Sequence, residues 1–180
     1  PRWRLPPPAA VLGALAGDDL EAALAATRLN ARLIAEDLAG LGIDVDCAPV
    51  LDVPAAGAHD IIGDRAFGTD PALVAALAAA MAEGLLAGGV LPVAKHIPGH
   101  GRAGSDSHAE LPTVAAGLAE LEARDFVPFR ALSWLPLAMT AHVRYAGIDP
   151  EEPATTSRRV VEEVIRGRIG FAGLLLSDDI

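Results

Sequence analysis

Apolar positions along the chain alternate between two periods. From Asp18 to Gly42, Leu20, Leu24, Ala31, Leu38 and Leu41 recur at helical spacing, with Asp18/Asp19 as a cap and Gly42 as a stop. The run "IDVDCAPVLDV" then predicts a strand from Ile43 to about Val50. A second helix is predicted over "DPALVAALAAAMAEGLLAGG", with Asp70 capping and Pro71 at the first helical position. The strand "VLPVAKH" follows it. "AAGLAELEARDFVPFRALS" predicts a third helix and "LPLAMTAHV" a third strand, and "TTSRRVVEEVIRGRIG" predicts a fourth helix, opened by Ser/Thr, before the strand "FAGLLLSDD".

Each strand is preceded by a helix, and the strands are almost continuously apolar. That pattern predicts a parallel sheet covered on both faces. An open doubly wound sheet and a (β/α)8 barrel both satisfy it. The polar residues favour the barrel, because Asp52, Lys95, His96, His142 and Asp178 all fall at or just past the C-terminal end of a strand. In a barrel those ends converge on one mouth. A whole barrel takes about 250 residues. The 180 residues are therefore expected to hold one domain, a central part of about four βα units.

Composition changes this picture little. The hydrophobic fraction of 52% is mostly Ala, Leu and Val, as buried strands under Ala-rich helices require. The net charge of −10 excludes a nucleic-acid surface, which needs clustered Lys and Arg. Cys47 is the only cysteine, so a disulfide framework and a CxxC metal site are both excluded; between Val45 and Pro49 it reads as a buried, inert strand residue. The pattern shows no signal peptide and no apolar run of the roughly 20 residues a membrane span needs. A soluble, cytoplasmic protein is expected. Opening on "PRWRLPPP" without Met and stopping at "LLLSDDI", the chain is expected to be part of a longer product.

The chemistry concentrates in "AKHIPGHGRAGSDSH", Ala94 to His108, which holds three of the five histidines. Asp106 and His108 stand two apart, so in an extended loop they share a side; a carboxylate there can steer an imidazole into acid/base work. Taken alone, the pair reads more simply as a surface contact. Lys95 and His96 end a core strand, where a lysine usually meets an anion or a polar ligand. Arg65, in "GDRAFG", reads either as a structural ion pair or as a clamp on hydroxyls and carboxylates. In "LLLSDDI" either Asp178 or Asp179 could reach the mouth. The alternation favours Asp178 as nucleophile or base and leaves Asp179 as a helix cap. The glycines of "IPGHG" permit close backbone approach to a ligand but lack the P-loop spacing.

Taken in order, "APVLDV", "IGDRAFG", "KHIPGHG" with "DSH", "MTAHVRY" and "GFAGLLLSDDI" resemble the bacterial β-N-acetylglucosaminidases of glycoside hydrolase family 3, over nearly the whole chain. The resemblance implies a (β/α)8 barrel and retaining hydrolysis without metal or cofactor. It implies Asp178 as nucleophile, the Asp106–His108 dyad as acid/base, and Arg65, Lys95 and His96 as ligands of the non-reducing N-acetylglucosamine. It further implies release of that sugar from anhydro-muropeptides during cytoplasmic peptidoglycan recycling. The complete protein is expected to be a monomer whose only partner is its small carbohydrate substrate. The family's upstream D-Q-E-G-G-R segment is missing, as are the units after Asp178, so the isolated piece is expected to be inactive and poorly soluble. Two rivals stand beside this reading. One is a metal-dependent hydrolase using His96, His100, Asp106 and His108, although their spacing does not match a known ligand cluster. The other is an inactive sugar-binding fragment.

Overall fold

The computed structural model describes residues 4–105 and 111–178. Two helices open the chain: α1 (Ala9–Asp18) and α2 (Leu20–Ala39). Asp19 separates them and caps α2, its carboxylate accepting the Ala22 N–H at 3.0 Å. Strand β1 (Val45–Asp46) leads through a short turn at Gly63–Arg65 into α3 (Pro71–Ala87). Asp70 caps α3 by accepting from the Ala72 and Leu73 N–H groups, with Pro71 in the first turn as expected. After α3 come β2 (Leu91–Ile97), β3 (Thr113–Val114), α4 (Leu118–Ala123), α5 (Phe126–Ala131) and β4 (Leu137–Thr140). Strands β5 (Arg144–Tyr145) and β6 (Asp149–Pro153), helix α6 (Val160–Ile169) and β7 (Leu174–Leu176) follow. Ser157 starts α6 by accepting the Val160 N–H at 3.0 Å.

The main sheet is parallel, in the order β1-β2-β4-β7. Each strand therefore lies beside the next strand of its own sheet along the chain. A doubly wound sheet would reverse direction at a switch point; this one progresses in a single sense, as successive strands of a TIM-type barrel do. The fold is α/β, a partial barrel.

Helices cover the sheet through small residues. Ala31 and Ala35 of α2 meet Leu85 of α3 and Val90 just before β2. A side chain at Gly84 would overlap the Arg28 carbonyl and Ala31, so the two backbones approach as closely as glycine allows. A larger core surrounds Phe67, Phe126, Phe129, Tyr145 and Phe171.

Three expectations are corrected. The first strand pairs regularly only at Val45–Asp46, with a further bridge from Val50 to Lys95, because Pro49 has no N–H to add to the ladder. Cys47 is exposed rather than buried: β1 is an edge strand of the sheet, and Val45 beside it is 37% exposed. The single helix expected from Ala115 to Ser133 is two short ones, broken at Arg124 and Asp125. Helix α1 and the small sheet β3-β5-β6 carry no clear periodic signal: β3 and β5 have two residues each, and β6 is mostly polar.

Candidate active site

His96, His100 and, through His96, Asp178 gather around one buried carboxylate. Asp52 follows β1, is 0% exposed, and accepts three hydrogen bonds. One oxygen takes the His96 backbone N–H at 3.3 Å and the His100 backbone N–H at 2.6 Å; the other faces His96 Nδ1 at 2.7 Å. Burial pushes the Asp52 carboxyl up, but the adjacent His96 ring and the His100 N–H more than offset it and hold the group below the usual carboxylate value. On the far side of the same ring, His96 Nε2 lies 3.9 Å from Asp178 Oδ2, just past the end of β7. One imidazole thus stands between two carboxylates.

A bulge in β2 aims that ring. Lys95 pairs with Met139 and Ile97 with Thr140, so His96 is the extra residue between them, and the bulge turns its side chain out of strict alternation. The Lys95–His96 and Ile97–Pro98 peptides on either side of this bend are cis. His100 packs beside His96, ring centroids 5.6 Å apart. Burial pushes the His100 imidazole below its ordinary value against the pull of Asp52. Thr140, at the end of β4, hydrogen-bonds to Thr155 and to the Leu176 carbonyl, tying the rim of β4 to β7. His142 Nδ1 sits 3.4 Å from the Thr155 hydroxyl.

The segment leaving this cluster is clamped at its root. Gly99 has φ 136°, a conformation open to glycine, and its carbonyl accepts the Tyr145 hydroxyl at 2.7 Å. Tyr145 is fully buried, which raises its phenol well above the ordinary value and keeps it a donor. A side chain at Gly101 would strike the Val53 carbonyl. Arg102 then bonds Asp125 at 2.8 Å and Glu120 at 2.6 Å. The helix break at Arg124–Asp125 now has a use, since Arg124 also donates to the Pro54 carbonyl at 2.8 Å.

Of the site residues expected from sequence, the structure brings His96 and Asp178 together. Lys95 lies beside Asp46, whose carboxyl is raised by burial and partly restored by the Lys95 charge. Arg65 is exposed, and its guanidinium donates to the Ile61 and Ile62 carbonyls of its own loop. Asp106, His108 and Asp179 lie outside the described residues. Among the described residues no group of three or more His, Cys, Asp or Glu is placed to hold a metal ion, and no helix is long and apolar enough to cross a membrane. Sequence reasoning gave Asp52 no role beyond its place at a strand end. The available signal was a carboxylate inside the apolar run "PVLDV", which must find partners once buried.

Carboxylate and imidazole groups meeting at the C-terminal ends of successive parallel strands define the mouth of a TIM-type barrel. Residues 4–180 match the Glycosyl hydrolase family 3 N terminal domain, and the chain belongs to that family. It is 44% identical over 179 residues to a β-hexosaminidase of Alkalilimnicola ehrlichii, covering 98% of this chain and 51% of the relative. NagZ from Neisseria gonorrhoeae, solved in complex with N-trifluoroacetyl-D-glucosamine, is 40% identical with a TM-score of 0.91, over 96% of this chain and 51% of that one. The same protein has been solved with a zinc ion, at 38% identity and a TM-score of 0.89, over 97% of this chain and 51% of that one. A family 3 β-N-acetylglucosaminidase from Paenibacillus is 36% identical with a TM-score of 0.85, over 93% of this chain and 31% of that one. The chain spans about half the length of the curated relatives it matches.

Proposed function

We propose that the full-length protein is a retaining β-N-acetylhexosaminidase that removes terminal N-acetylglucosamine from peptidoglycan-derived anhydro-muropeptides, acting as a cytoplasmic monomer. The observation that carries this reading is the placement of Asp178: a half-buried carboxylate just past β7, flanked by the His96 ring. Such a carboxylate can attack an anomeric carbon and form a glycosyl-enzyme. His108, steered by Asp106, protonates the leaving oxygen and later activates water. The clamp on residues 99–102 supports this assignment by giving the segment that leads to the dyad a rigid root. Lys95, His96 and Arg65 bind the sugar, with Arg65 turning from its own loop carbonyls to do so. The relatives' names supply the sugar.

The test is a slow fluorinated N-acetylglucosaminide offered to the full-length protein. Asp178 should carry the label, and product should keep its anomeric configuration. Asp178→Ala should cost on the order of 10⁴-fold in turnover. Label on Asp179, or inverted product, would overturn the assignment.

A further inference from the structure

His96 was assigned above to sugar binding, which leaves unexplained why a fully buried carboxylate should hold it from behind. Asp52 spends one oxygen on the His96 and His100 backbone N–H groups and the other on the His96 ring. An ionised carboxylate only accepts, so the 2.7 Å contact commits Nδ1 of His96 as the donor. The ring is then fixed in plane and rotation, and the edge it presents to Asp178 is always Nε2, at 3.9 Å. That distance is within ion-pair range and too long for a hydrogen bond.

We propose that Asp52 is a positioning residue for the chemical step: through His96 it fixes the ring edge, Nε2, that faces Asp178. His96 then does more than bind sugar, and loss of its support lowers turnover by more than it weakens affinity. This rests on the reading of Asp178 as nucleophile. The Asp52 charge also acts on His100 and Tyr145, which belong to its surroundings.

Asp52→Asn is the informative change. An asparagine keeps one oxygen for the two backbone N–H groups but turns an N–H toward Nδ1, reversing that atom's role. In the full-length protein, with an activated aryl N-acetylglucosaminide, kcat should fall on the order of 10²-fold or more while KM rises by much less. A group that merely braced the fold would lower the melting temperature and leave kcat per folded molecule alone. His96→Gln should lower kcat comparably, and adding Asp52→Asn to it should cost little more, because both act through one ring. The proposal fails if Asp52→Asn keeps kcat within about threefold, or if its loss is the same with and without His96. Should Asp52→Asn not fold, His96→Gln decides: a rise in KM with kcat intact overturns the proposal. Turnover absent from the unsubstituted protein, or surviving Asp178→Ala, removes the glycosidase reading and this inference with it, and is recognisable as such.

Discussion

At the scale of the residue, the site is a set of charges that tolerate burial only because each has a partner. Asp125 shows the rule outside the reacting centre. It is 1% exposed, burial raises its carboxyl, and Arg102 opposes that rise from 2.8 Å. Arg102→Ala should therefore cost about 3–5 kcal/mol at neutral pH, the penalty of stranding a buried charge. The sign of its pH dependence follows from the raised carboxyl. Without Arg102 the folded-state value climbs further above the unfolded one, so the loss is largest at high pH and shrinks as pH falls through it. Urea unfolding of both proteins at neutral and mildly acidic pH would check this; a loss that grew on acidification would contradict it. The sequence made Lys95, His96 and Asp178 visible because polar residues at the ends of apolar strands stand out. Asp52 and Asp125 stayed without a role because their partners, His96 and Arg102, are brought to them only by tertiary folding.

At the scale of the element, α2 and α3 were readable in advance, since their caps are local chemistry: Asp19 and Asp70 act within three residues of themselves. The bulge at His96 and the break at Arg124–Asp125 were not readable. Both are imposed by neighbouring elements, the strand ladder in one case and the loop after β1 in the other. What the helices contribute is closeness. Gly84→Ala pushes a methyl into the Arg28 carbonyl and should destabilise by about 1–3 kcal/mol. Gly17→Ala, inside α1 with open space around it, should instead stabilise by about 0.5–1 kcal/mol. Denaturant midpoints of the two variants moving in the same direction would refute this account of the helix seam.

At the scale of the whole molecule, the barrel direction was legible because four apolar strands each follow a helix and carry polar residues at their C-terminal ends. The small sheet β3-β5-β6 was not, yet it carries Tyr145 to Gly99. The main sheet has two edges, and on them Val45 is 37% and Leu174 61% exposed. Unpaired, apolar edges invite further strands. The 180-residue chain alone should self-associate in light scattering, and Leu174→Lys should reduce it. A monodisperse 18.4 kDa species, unchanged by that substitution, would show that the edges are harmless. The carboxylate of Asp52 has a last consequence, for how such barrels can be recombined. Parallel βα units look interchangeable, each a cassette with its own strand and helix. Here one side chain from the first cassette is stitched to two main-chain amides and a ring of the second. A chimera that crosses over between them inherits half of a joint, so the first two units pass between proteins as a single block.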